Sequence, residues 1–174
     1  MHRFLLFLER QVYVKKGNAP TLLEDDRDQE QRQSSVIKIR KLLRFCPSWK
    51  KGHFYLMQCS YSLHDFDSCY VSCQAVLKLG VDSSEEKIVK RYLSKCYLKT
   101  RSFLRAKTEI LKLLEREPES LDLKEDLAAA CMGLGDKESL KQAHEILGQI
   151  ADEEISNEAR VARTYLNDKL KSSE

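Results

Sequence analysis

The chain has 174 residues, 33% of them charged and 42% hydrophobic, but only 6 Gly and 3 Pro. That size holds one compact domain or a short run of small repeats. So few breakers exclude a strand-rich sandwich or barrel and disfavour phosphate-cradling enzyme folds on Gly-rich loops. The net charge of +3 hides an asymmetry: residues 1–110 carry 21 Lys+Arg against 12 Asp+Glu, and residues 111–174 carry 9 against 15.

In chain order, the first predicted element is a helix over 3–16, with Phe4, Leu5, Leu8 and Val12 along one face, stopped by Gly17 to Pro20. The apolar run Phe4 to Leu8 is too short for a signal sequence, which needs about 7–15 apolar residues. No stretch reaches the roughly 20 apolar residues of a membrane span. The expectation is a soluble protein of the cytoplasm or nucleus. Residues 24–33 have no apolar residue and read as a solvated loop or an exposed helix start. The organisation expected is an N-terminal apolar helix plus polar loop over 1–33 and a helical domain over 34–174. Helix 3–16 is either the first helix of a hairpin with an enlarged loop or a separate helix packing on the end of that domain or on a partner.

From Ser34 or Ser35 a helix is expected to Phe45, with Val36, Ile39, Leu42 and Leu43 inward, ended by Pro47. The next runs from Trp49 or Lys50 to about Leu63. Asp65 suits the cap of a further helix from Phe66 to Leu79, and Gly80 suits its stop. Asp82 to Glu86 is a strong helix start, with Ser83 and Glu86 read as a capping box. Helices follow over 84–99, 102–116, 119–133, 137–150 and 156–171, joined by links of two to five residues. Short links between helices of this length mean antiparallel hairpins, and the class is all-α.

The hairpins recur. Pro47 and Pro118 both follow a helix end and lie 71 residues apart, which is twice 34 plus 3. The best copy of a 34-residue pattern is Lys90-x2-Leu93-Ser94-x2-Tyr97, then Ala106-x3-Ile110, then Pro118. The preceding copy is His53-x2-Leu56-Met57-x2-Ser60, then Phe66 and Cys69-x3-Cys73, with three extra residues near Val81 to Ser83. The following copy is Lys124-x2-Leu127-Ala128-x2-Cys131, then Gly135 and Ala143-x3-Leu147. Small residues at 69, 106 and 143 let paired helices approach; bulky ones at 56, 93, 127, 110 and 147 fill the space between hairpins.

Over roughly residues 35–171 this chain resembles the tetratricopeptide-repeat family, in degenerate copies. The resemblance implies a right-handed solenoid, an alpha-alpha superhelix, with residues 156–171 as a terminal capping helix and a shallow concave surface. Pro47-Ser-Trp-Lys-Lys-Gly-His53 further resembles the junction of chaperone-associated members, whose carboxylate clamp binds an acidic C-terminal peptide. Lys51 matches the clamp lysine, but Tyr55 stands where an arginine is expected. The chain's asparagines (18, 157 and 167) do not complete the clamp.

On this reading the first helix of each hairpin lines the groove. Lys51, Phe54, Gln58 and Tyr61 come from one hairpin and Arg91, Lys95 and Lys99 from the next, a basic row of i, i+4 spacing. With the aromatic anchors this suits an acidic protein or peptide segment, and Arg91 offers bidentate carboxylate pairing. The function expected is a non-enzymatic interaction adaptor or scaffold, co-chaperone-related if the junction is informative. The alternative is an RNA-binding helical repeat using the basic span 35–107, which carries 15 basic against 5 acidic residues; the acidic final third weighs against it. No His or Cys arrangement forms a nucleophile or metal motif, and no cofactor or metal is expected. Cys69 and Cys73 share a helix face but lack a second pair, and packing accounts for the scattered thiols.

Overall fold

The computed structural model describes residues 26–171, and the expected helix over 3–16 lies outside them. Among the described residues there are eight α-helices and no strand. They are α1 (Asp26–Phe45), α2 (Lys50–Ser62), α3 (Phe66–Lys78), α4 (Ser83–Lys99), α5 (Phe103–Leu114), α6 (Leu121–Leu134), α7 (Lys137–Gly148) and α8 (Asn157–Lys171). None is long and apolar enough to cross a membrane. The chain divides into two compact units, one ending at Val81 and one beginning at Asp82, within the spacer that interrupts the 34-residue period.

In the first unit α1 packs on α2 and α2 on α3. Within the expected polar stretch 24–33 the described residues from 26 are helical: α1 spans Asp26–Phe45 and runs unbroken through the expected boundary at 33/34. Acidic residue types at 26, 28 and 30 suit the positive end of the helix dipole. Val36, Ile39, Trp49, Leu56 and Cys59 form a buried cluster. Trp49 lies over α2 at Gly52, where an added Cβ would clash with the indole ring. Asp65 caps α3 by accepting from the Ser68 backbone N–H at 3.1 Å, as its residue type predicted. Arg40 of α1 donates to Asp65 at 2.8 Å and to Ser68 Oγ at 2.6 Å. Partial burial pushes the Asp65 carboxyl up, but the bonds from Ser68 and Arg40 outweigh it and hold it below its ordinary range.

In the second unit α4 packs on α5, α5 on α6, α6 on α7 and α7 on α8, and α4 also meets α6. The core runs through Ala106, Ile110, Leu113, Leu123, Leu127 and Cys131 to Ala143, Leu147 and Leu166. Phe103 at the start of α5 covers Gly133 near the end of α6, where any side chain would meet the ring. The capping box of α4 sits one residue earlier than Ser83 and Glu86: Asp82 Oδ1 accepts from the N–H groups of Ser84 and Glu85, both at 2.8 Å, and Glu85 accepts from Asp82 N–H. A carboxylate outcompetes the serine hydroxyl as acceptor. That leaves Glu86 to pair with Lys90 at 2.8 Å and Arg116 at 3.2 Å.

The hairpin turns repeat. After α2, the N–H groups of Leu63, His64 and Asp65 donate to the carbonyls of Cys59, Tyr61 and Ser60. After α4, those of Thr100, Arg101 and Ser102 donate to Cys96, Leu98 and Tyr97, each bond shifted by 37 residues. The same shift relates Leu56 to Leu93, Cys69 to Ala106 and Cys73 to Ile110, all buried. Gly135, left-handed at φ 76°, closes α6 at the corresponding turn.

Candidate functional site

The outward row of α2 is set by what the rest of the helix buries. Gly52, Leu56, Cys59 and Ser60 face inward, which turns residues 51, 54, 58 and 61 toward solvent at helical spacing. Lys51 and Gln58 are exposed; Phe54 and Tyr61 are half-buried. Tyr61 meets Phe66 edge-on, ring centroids 5.8 Å apart, and Phe66 also meets His64. Neighbouring Lys50 donates to the Gly80 carbonyl at 3.2 Å. His53 Nε2 lies 2.9 Å from the Pro47 carbonyl, so this nitrogen carries the hydrogen and donates. The four expected residues thus share one face of the first unit.

In the second unit Arg91, Lys95 and Lys99 line α4, but they are not three equivalent cations. Arg91 Nη2 donates to Glu117 at 2.7 Å and to Ser120 Oγ at 3.3 Å. Lys87 reaches the same carboxylate at 2.7 Å. Lys87, its strongest influence, and Arg91 hold Glu117 below the ordinary carboxylate range. Arg91, expected to offer its fork to a partner's carboxylate, thus already gives Nη2 to a carboxylate of its own unit. The link after α5, ended by Pro118, delivers a carboxylate of this chain to that guanidinium, which ties α4 to the α5–α6 link.

Lys95 is half-buried and Lys99 exposed. Both act electrostatically on Asp126 of α6, whose Oδ2 is buried without a hydrogen-bond partner. Burial pushes the Asp126 carboxyl up; Asp122 and Glu125 add to the rise, and the two lysines offset it in part. Glu125 is used structurally, accepting from the Ser156 N–H before α8 at 2.7 Å. The row on α4 is thus basic but flanked by acids of its own unit.

Glu117 and Asp126 escaped the sequence reading. A partner 26 residues beyond Arg91 leaves no periodic trace, and only the stacking of hairpins brings it close. The six cysteines are free, and Cys59, Cys69, Cys73, Cys96 and Cys131 are buried. Burial raises the thiols of Cys59 and Cys131 above their ordinary pKa, as packing residues require. Among the described residues no group of His, Cys, Asp and Glu is arranged to hold a metal ion.

No protein-family model matches the chain, and no curated protein matches it. Among the described residues the fold is all-helical with recurring hairpins, and basic and aromatic side chains line α2 and α4.

Proposed function

We propose that the chain is a tetratricopeptide-like interaction module, an adaptor or scaffold without chemistry of its own. Its stacked hairpins would hold an acidic protein or peptide segment. The observation that carries this reading is the 37-residue recurrence of one hairpin turn with identical hydrogen bonding. The recurrence makes α2 and α4 equivalent first helices, and it pairs Phe54 with Arg91 and Gln58 with Lys95. The proposed contact residues are Lys51, Phe54, Gln58 and Tyr61 on α2 in the first unit and, as a row of its own in the second unit, Arg91, Lys95 and Lys99 on α4, where Arg91 also braces the helix through Glu117. An exposed ion pair contributes only about 0–1 kcal/mol, so the segment needs several such pairs and an apolar residue seated against Phe54 or Tyr61. The reading places the protein in the cytoplasm or nucleus.

The test is affinity purification with lysine crosslinking. The expected result is a protein partner whose acidic segment crosslinks to Lys51, Lys95 or Lys99, and which is lost in a Lys51→Glu, Lys95→Glu double variant. RNA recovered instead, with affinity falling linearly in a log–log salt plot, would move the function to the nucleic-acid reading. Survival of every partner in the double variant would remove these rows from the interface.

A further inference from the structure

The outer face of α1 carries two features together. The first is uncompensated charge. Arg40 is spent on Asp65, and Lys87 and Arg91 share Glu117, but Lys38, Lys41 and Arg44 have no carboxylate partner among the described residues. They stand at i, i+3 and i+6, close enough to repel one another. The second is exposed apolar surface. Ile37 is 56% exposed and Phe45 84%, the highest value among the exposed large apolar side chains.

Helix geometry puts these features on one face. α1 turns Val36 and Ile39, with Leu42 and Leu43, toward α2. At 100° per residue, Ile37, Lys41 and Arg44 then point directly away, with Phe45 and Lys38 beside them. α1 packs on α2 within its unit, and Ile37, Lys38, Lys41, Arg44 and Phe45 on its other side are exposed. Exposed hydrocarbon and clustered like charge each raise the free energy of this face, and an occupant that is both acidic and apolar relieves both.

We infer that this face docks an acidic amphipathic helix of a partner protein. Ile37 and Phe45 lie about 12 Å apart along the axis at 1.5 Å per residue, so the partner presents two apolar residues two turns apart. Its flanking Asp or Glu side chains meet Lys38, Lys41 and Arg44. Other occupants fit less well. A nucleic-acid backbone would use the cations, but aliphatic Ile37 offers no plane for stacking a base. A membrane surface needs a wide apolar stripe, and α1 has committed its own to α2. The chain's apolar segment 3–16 carries Arg3, Arg10, Lys15 and Lys16 against Glu9, the wrong sign for this face.

The full chain would be titrated with four fluorescent probes. These are an 18-residue helical peptide of Leu, Ala and Glu with Leu two turns apart, the same peptide with Lys for Glu, a 12-nucleotide oligo(U), and phosphatidylserine-containing vesicles. The Glu peptide is expected to bind and the Lys peptide not to. A Lys41→Glu, Arg44→Glu variant should weaken binding by at least about tenfold, and Phe45→Ala by a comparable factor. Lys51→Glu with Lys95→Glu, in the rows proposed on α2 and α4, should leave it unchanged, so the proposals fail or stand separately. All these positions are exposed or half-buried, and circular dichroism checks that each variant folds. Failure of the Glu peptide to bind, or equal binding by the Lys41→Glu, Arg44→Glu variant, overturns the assignment. So does tighter binding of oligo(U) or vesicles that the same variant abolishes, which gives the face to nucleic acid or lipid.

Discussion

His64 and Arg101 occupy the same place in two hairpins, 37 residues apart, and both hold left-handed backbones at φ 59° and 57°. Each ends a first helix and lets the chain reverse into the second, a task glycine performs at Gly135. A non-glycine residue there costs about 1 kcal/mol through contact of its Cβ with the following carbonyl. Arg101→Gly should therefore match or exceed the wild type in urea unfolding. Arg101→Val, with a branched Cβ, should lose about 1–2 kcal/mol. Parallel behaviour at His64 would establish that the two turns are one repeated solution; a loss in both glycine variants would show that the arginine and histidine side chains are needed there.

Leu93 tests the repeat register. It is 5% exposed on α4, at the position equivalent to Leu56. Truncation to Ala should cost about 2–5 kcal/mol, the lost transfer energy plus the cavity left behind. Leu104, 68% exposed on α5, provides the comparison, and its Ala variant should stay within about 0.5 kcal/mol. Chemical denaturation of both variants measures the contrast. Equal effects would mean that the bulky position of the repeat is misplaced.

The turns and the small-residue positions were legible in the sequence. Pro47, Gly80, Pro118 and Gly135 mark chain reversals through local backbone chemistry, and the small-residue positions Cys69, Ala106 and Ala143 are all fully buried, as their spacing requires. The capping box slipped by one residue because Asp82 with Glu85 and Ser83 with Glu86 satisfy the same pattern; only acceptor strength separates them. The internal partner of Arg91 was not legible for a different reason. Its surroundings depend on a carboxylate from another helix link, and no one-dimensional period records that.

Gly52 makes a prediction of the opposite kind to a cavity. Trp49 packs flat on α2 only because residue 52 has no side chain. Gly52→Ala gains helix propensity of about 1 kcal/mol but displaces a buried indole from the cluster with Ile39 and Leu56. Overpacking of this kind costs about 1–3 kcal/mol, so the net effect should be destabilising, with a changed tryptophan emission maximum. Trp49 is the only tryptophan, which makes the readout specific. A stabilised variant with unchanged emission would show that the ring has room to move.

Asp126 sets a pH dependence opposite to that of the paired carboxylates. Glu117 beside Lys87 and Arg91, and Asp152 beside Arg163, titrate below their ordinary range. Their contribution is present above the unfolded carboxylate pKa and is lost as pH falls through the lowered folded values. Asp126 is raised by burial, so the folded state holds its proton more tightly than the unfolded state. Stability from this residue is gained as pH falls from the raised folded value toward the unfolded one near 4, and is missing at neutrality. Asp126→Asn removes the charge and keeps the shape. It should raise stability at pH 7 by about 1 kcal/mol, the order of cost for a buried acceptor without a partner, and flatten the profile as pH falls from neutrality toward the unfolded value of about 4. Urea midpoints of wild type and variant across that range decide it. A variant less stable at pH 7 would mean that Lys95 and Lys99 hold the ionised carboxylate as an ion pair, and that the acid is part of the basic row rather than a cost borne beside it.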